Sequence, residues 1–458
     1  MTLRYWSTSV RRAVLSATLY SGLVACGEST TGDGGKLLIP DGSDATDATD
    51  GSDATDATDG SDATDAADGV DATDGIDPVD GTDGIDPVDG TDGVDAADGT
   101  VIDPDAADEK AFQAALALYT AKDYVKAQAA FLVFDTDFPD SARRDNVRFL
   151  IARCDFELLH YADAKTRFEA FLTEFTTSAL LPDATYYIGR CDYELGALAS
   201  AAGELEAFIT AFPDHVYLDN AHYYAGRSHF GLGGLAAALA HFDAIIAMPG
   251  SSYRDAALLY AGRTEFEQTK FTASEARFEA LFTEFPGSVY EDNARYYHGM
   301  ARYQMGDFAV ARTRLGLVRA NFPDSIYRDN ASYFIGRCDY KTGDYASAIT
   351  AFSTFEAEYP ASSYKDDGVY YRARSHYELG RAGSDPDYGT AAGLLESIPV
   401  TFVDSPYDDN ALYYAILARL SLGQCQPALT DFTALKKADP ASPYVPKAQS
   451  KLTGAGCQ

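Results

Sequence analysis

Positive charge is scarce in this 458-residue chain: 36 Lys and Arg stand against 70 Asp and Glu, for a formal net charge of -34. That balance excludes a nucleic-acid binder, which needs cationic side chains to neutralise phosphates. Beyond the first two dozen residues, no stretch approaches the roughly 20 consecutive apolar residues that cross a bilayer as a helix. G-x-S-x-G, a phosphate loop and C-x-x-C are all missing, and the many acids lack the isolated pairing that acid–base chemistry requires. No enzyme, cofactor or small-molecule substrate is expected. Histidine is sparse as well. His215, His222 and His229 are spaced by seven, whereas helical metal pairs sit at i, i+4, and His215 falls in a loop, so no metal site is expected.

What the chain does have begins at its N-terminus. Residues 1–26 carry Arg4, Arg11 and Arg12, then a short apolar stretch from Ala13 to Gly22, then Leu23-Val24-Ala25-Cys26. The apolar stretch is too short to span a membrane and reads as a cleaved export signal. The tetrapeptide resembles the lipobox of bacterial lipoproteins, in which the Cys becomes the lipid-bearing first residue. That resemblance implies a lipid anchor on Cys26, and Gly27, where an Asp would favour the inner membrane, implies the outer one. The expected location is the cell envelope.

From Asp41 to Asp98 every third residue is Asp, with no aromatic residue to nucleate a core. Such a segment repels itself, and residues 27–108 are expected to form a disordered acidic linker. At about 3.1 Å per residue its reach is capped near 250 Å. Calcium loops place oxygen ligands at alternate positions and close with a Glu, which Asp-x-x-Asp does not reproduce. Most of the net charge therefore belongs to a spacer.

Residues 109–458 are periodic. Aromatic or Pro markers fall at Phe138-Pro139, Phe175, Phe212-Pro213, Met248-Pro249, Phe285-Pro286, Phe322-Pro323, Tyr359-Pro360, Phe402 and Asp439-Pro440, at intervals of 37, 37, 36, 37, 37, 37, 43 and 37 residues. The unit reads F-P-x-S-x-Y-x-D-N-A-x-Y-Y-x-G-R and then G-D-Y-x-x-A. Each unit is a helical hairpin that cannot bury its apolar face alone, so the fold predicted is an all-α solenoid of about nine hairpins plus a C-terminal capping helix. In the pass from Ser325, Asp329 or Asn330 is expected to cap the first helix, Gly343 to take the left-handed conformation after it, and Asp344 to cap the second. The six extra residues near Gly380–Asp387 are expected to lengthen one interhelical loop.

The small residue on the first helix, Gly-Asp-Tyr at the turn and the closing Pro resemble the tetratricopeptide repeat. The longer unit and the F-P-x-S-x-Y-x-D-N-A phrase resemble the variant found in the envelope proteins BamD and CpoB. The resemblance implies a right-handed superhelix whose first helices line a concave groove for a protein or peptide partner.

One ladder runs along those first helices. Asn220, Asn293 and Asn330 share a column with Asn146, Asp183, Asp367 and Asn410; three residues on stand Tyr223, Tyr296 and Tyr333, and four further on Arg153, Arg190, Arg227, Arg263, Arg337 and Arg374. Offsets of 0, 3 and 7 share a helix face. If the ladder lines the groove, Arg can grip a carboxylate and Asn a peptide backbone. If it belongs to the scaffold, Asn caps, Tyr packs and Arg pairs with acids such as Glu157 or Glu194. Met300 and Leu417 interrupt the Arg column. Cys154, Cys191 and Cys338 share one packed position, about 10 Å apart in successive repeats and so out of disulfide reach. Cys425 and Cys457 are placed either to pin the closing helix through a disulfide or to remain free thiols.

The function expected is a lipid-anchored envelope scaffold or adaptor that docks a protein or peptide partner. The alternative is a structural tether between outer membrane and cell wall or surface matrix. A carbohydrate-binding role for the Tyr ladder is a weaker third.

Overall fold

The computed structural model describes residues 106–402 and 405–457. The export signal, Cys26 and the Asp-rich linker lie outside the described residues. Nineteen helices follow one another in the described part, and no strand interrupts them. The first helices of the hairpins are α1 (Ala107–Thr120), α3 (Arg144–Glu157), α5 (Leu181–Glu194), α7 (Leu218–Gly231), α9 (Arg254–Glu267), α11 (Glu291–Gln304), α13 (Arg328–Lys341), α15 (Lys365–Arg381) and α17 (Asp408–Ser421). Their partners are α2 (Tyr124–Asp137), α4 (Tyr161–Glu174), α6 (Leu198–Ala211), α8 (Leu235–Ala247), α10 (Phe271–Glu284), α12 (Phe308–Asn321), α14 (Tyr345–Glu358), α16 (Asp385–Thr401) and α18 (Cys425–Ala438). The single helix α19 (Tyr444–Gly454) closes the series against α17 and α18. None of these helices is long and apolar enough to cross a membrane.

The architecture is an all-α solenoid. Each helix packs on the next in sequence, and first helices also touch the first helix of the following hairpin, as α9 does with α11 and α13 with α15. The two layers differ in burial. Helix α9 is buried at every residue from Ala256 to Phe266, whereas α10 buries only Ser274, Glu275, Phe278 and Leu281. One apolar core therefore runs from Phe149 through to Leu452 and Cys457, with a second cluster around Phe112, Phe131 and Phe134 in the first hairpin.

The turn inside each hairpin follows the predicted chemistry. Gly343 has φ +79°, and Asp344 caps α14 by accepting from the Ser347 N–H at 3.1 Å. Lys122, Leu159 and Thr269 adopt the same left-handed conformation without glycine. At the start of α13 the structure corrects the capping expectation. The N-cap is Tyr327, with no side-chain cap, and Asp329 stands inside the first turn, where one carboxylate oxygen accepts the Asn330 N–H at 2.9 Å and the other accepts Ser362 of the next hairpin at 2.9 Å. The six-residue excess is also not in a loop. Helices α15 and α16 are each 17 residues where α13 and α14 are 14, so the insertion adds most of a turn to both arms and leaves the connection short. Splitting the excess between the arms keeps their apolar faces paired, and Gly380 permits it by lying against the Tyr388 ring, where a Cβ would fall 2.7 Å from ring carbons.

Small residues on the first helices set how closely the arms approach. A Cβ on Gly336 would come within 2.7 Å of Phe352 on the facing arm, while one on Gly316, also helical, meets nothing within 4 Å. Gly336→Ala is expected to destabilise by about 1–3 kcal/mol through overpacking. Gly316→Ala is expected to be neutral or to stabilise by up to roughly 1 kcal/mol. Urea melts of the two variants beside the parent check both signs.

Candidate functional site

The Asn–Tyr–Arg ladder is where the sequence places a site, and the structure puts it between hairpins. The Arg side chains are all buried, from Arg337 at 0% exposure to Arg227 at 8%, with Arg153, Arg190, Arg263 and Arg374 between those values. Tyr223 and Tyr333 are fully buried, Tyr296, Asn220 and Asn293 nearly so, and Asn330 is partly buried. Helix α13 is buried continuously from Ala331 to Tyr340, so it has no face left for a groove. The groove-contact reading of Arg153, Arg190, Arg227, Arg263, Arg337 and Arg374 is corrected on that ground.

Each ladder position performs a definite task. The guanidinium of Arg190 lies 3.5 Å from the ring centroid of Tyr224 in the next hairpin, and the same relation joins Arg153 to Tyr187, Arg337 to Tyr371 at 3.8 Å and Arg374 to Tyr414 at 3.5 Å. Arg227 and Arg263 lie 4.6 Å and 4.9 Å from Tyr260 and Tyr297. From the same helix the ladder Tyr hydroxyl accepts from the guanidinium, at 2.8 Å for Arg227 and Tyr223 and for Arg337 and Tyr333. Acids complete the shell: Glu157 lies 3.0 Å from Arg153 and Glu194 3.1 Å from Arg190. A desolvated cation over an aromatic face contributes about 2 kcal/mol. Where Met300 interrupts the column, the position of the next hairpin that Arg would cover holds Phe334, and past Leu417 it holds Lys451.

Two further columns complete the joint, and sequence reasoning missed both. The Tyr of S-x-Y stacks on the ladder Tyr of the preceding hairpin, as Tyr364 does on Tyr333 with centroids 4.5 Å apart and Tyr407 on Tyr370 at 4.3 Å. The Ser of the same phrase donates back to the first-turn Asp: Ser178 to Asp145, Ser251 to Asp219 and Ser288 to Asp255, each at 2.7 Å. Asn220 donates to the Tyr253 hydroxyl at 2.7 Å. The recurrence of F-P-x-S-x-Y-x-D-N-A was the available signal, since its Ser, Tyr, Asp and Asn meet the neighbouring unit. At the third joint His215 replaces Ser. Its Nδ1 accepts the Tyr217 N–H at 3.2 Å and its Nε2 faces Asp183 at 3.6 Å.

Cys425 and Cys457 are bridged, with Cα atoms 5.3 Å apart, tying the start of α18 to the chain three residues beyond α19. Cys154, Cys191 and Cys338 are buried and unbridged, and burial pushes each thiol up to about 12, so they remain protonated packing groups. Apart from α1 and the closing α19 at the two ends, the exposed side chains lie mainly on the second helices and the loops between hairpins. There Val216, Val289 and Ile326 occupy one repeat position and are each more than half exposed.

A solenoid of helical hairpins with an internally bonded ladder and an open second layer is the fold of a repeat-type protein-interaction scaffold. The YfiO family model, described as outer membrane lipoprotein, matches residues 152–297 and 291–407, more than half of the chain. The chain belongs to that family, which makes it a cell-envelope protein. No curated protein matches the sequence. Among solved structures it is similar to the C-terminal part of a TPR repeat-containing protein from Cytophaga hutchinsonii, at 15% identity over 56% of this chain and 98% of that one, with TM-score 0.47. It is also similar to the apo form of RapI, at 11% identity over 76% and 99% with TM-score 0.45, and to PilW, a type IV pilus biogenesis factor, at 16% identity over 49% and 98% with TM-score 0.40.

Replacing Arg337 by Met keeps the volume but removes the cation, and is expected to cost about 2 kcal/mol. Partly buried Arg319, whose partner Glu358 is exposed, is expected to tolerate the same change within about 0.5 kcal/mol. Chemical denaturation of both variants reads the difference. A pH dependence is expected near the C-terminal end. Burial, reinforced by neighbouring Glu396, pushes the Asp431 carboxyl up to about 7. The folded chain then holds a proton that the unfolded chain, with an Asp value of about 3.9, has released, so stability falls as pH rises through that window. Asp431→Asn is expected to reduce the fall in melting temperature between about pH 5 and pH 8.

Proposed function

We propose that the protein is a lipoprotein anchored through Cys26, which carries its solenoid on the Asp-rich spacer and docks a protein partner on the exposed loop edge and the outer faces of the second helices. The observation that supports this most directly is the burial of the ladder: with Arg, Tyr and Asn engaged between hairpins, recognition is left to the surface that does not hold the stack together. Val216, Val289 and Ile326 lie along one edge at the same repeat position and supply exposed apolar side chains that neighbouring hairpins do not cover. Val289 and Ile326 are neighbours in that series, with Val216 set apart from them by Ser252, and an apolar pair of this kind is what a partner would cover. The buried Tyr rings leave no aromatic ladder for a sugar to stack on, which disfavours a carbohydrate partner.

A second reading, that of a spacer whose working part is the linker, is favoured by the unbroken Asp period from Asp41 to Asp98. The two separate experimentally. Photo-crosslinkers at positions 289 and 326 of the intact protein in envelopes are expected to trap one saturable partner, and Val289→Asp/Ile326→Asp is expected to abolish the adduct while helicity by circular dichroism is retained. Shortening residues 41–98 by half is expected to leave it intact. An adduct indifferent to the edge variant but lost with linker length would replace the docking reading with the spacer.

A further inference from the structure

In two hairpins an Arg–acid pair joins the arms at the same rung. In the second hairpin Arg167 on α4 lies 2.6 Å from Asp155 on α3. In the fifth, Arg277 on α10 lies 3.2 Å from Glu265 on α9 and 2.9 Å from Asp243 on the preceding α8. The sister positions in the fourth hairpin carry His241 for the Arg and His229 for the acid, with Glu206 of α6 where Asp243 stands. The guanidinium that lies between two carboxylates in the fifth hairpin is thus replaced by imidazole, as is one of the carboxylates.

The replacements converge. His229 Nε2 is 2.7 Å and His241 Nε2 3.5 Å from the same oxygen of Glu206, and all three ligand atoms lie within 4.8 Å of one another. The two rings are parallel to within 11°, with centroids 5.6 Å apart. Behind them His222 Nδ1 meets His241 Nδ1 at 3.0 Å. Donor atoms around a tetrahedral ion with bonds of about 2.0–2.1 Å lie about 3.3 Å apart, between the two separations from Glu206.

We propose that Glu206, His229 and His241 form a site for a divalent transition-metal ion of the zinc class, with His222 as the positioning residue that orients His241. Two imidazoles and a carboxylate suit such ions, and three protein ligands leave an open coordination position. Glu206 is about half exposed, so the site is reached from solvent. When His241 donates its Nδ1–H to His222, its Nε2 lone pair faces the Glu206 oxygen, and a cation is what joins two acceptors. The ion ties α6 of the third hairpin to α7 and α8 of the fourth, the connection that Arg277 makes one hairpin later.

The test uses the full chain stripped of metal by a chelator. Calorimetric titration with zinc is expected to show one saturable site per chain, and cobalt(II) to develop the visible absorption of a tetrahedral nitrogen–oxygen field. His222→Asn is expected to weaken zinc roughly 10–100-fold, the usual cost of removing a group that orients a ligand. The double variant His229→Asp/His241→Arg rebuilds the sister ion pair, so it is expected to keep helicity and melting behaviour while losing both signals. The Asp-rich segment is present in every variant and cannot account for a difference between them. Zinc binding that survives the double variant, or a parent with no saturable site and no cobalt signal, overturns the assignment; unchanged affinity in His222→Asn overturns the positioning role.

Discussion

Everything else in this solenoid depends on how one hairpin is joined to the next. A pair of 14-residue helices leaves an apolar face open, and the next pair covers it only if polar groups at the seam are satisfied at the same time. The seam does this with a fixed set: Arg over Tyr of the following hairpin, Tyr on Tyr, and Ser donating to Asp. Each group is desolvated and partnered, which confers register as well as stability. A slip by one residue would place a guanidinium in the core without its ring, a fault that costs several kcal/mol.

Because the seam uses the first helices almost completely, the two layers have separate duties. First helices carry cohesion and second helices carry the accessible surface, as the contrast between α9 and α10 makes plain. Departures from the repeat are informative against that background. Met300 stands in place of the Arg against Phe334 of the next hairpin, and the hairpin stays packed with Met300 buried. The long arms α15 and α16 grow together, keeping their faces paired. The His-rich rung of the fourth hairpin is a departure of another kind, since it removes a resident cation and leaves ligands in its place.

Much of the fold was legible in the chain because it is written as repetition. The marker spacing fixed the hairpin count, Gly343 and Asp344 the turn, and Pro and aromatic pairs the ends. The ladder was legible as a pattern but not as a role: offsets of 0, 3 and 7 show that Asn330, Tyr333 and Arg337 share a face, and say nothing about what that face meets. The His site was hidden for a related reason. Its ligands come from three helices, so the spacing of His222 and His229 on one of them pointed away from a metal while His241 and Glu206 lay elsewhere in the sequence.

The sequence by itself determined the local and periodic features: an all-α chain of hairpins, a closing helix, an acidic segment before them and the family to which the repeats belong. Such features rest on intervals of a few residues and on turn stereochemistry, which composition and spacing record directly. Only the tertiary structure decided which side of each first helix is buried, that the six extra residues extend two helices, that Cys425 meets Cys457 and that Glu206 meets His229 and His241. Those outcomes depend on the relative placement of side chains 20 to 40 residues apart, set by the approach of packed helices, and no local interval in the chain encodes that distance.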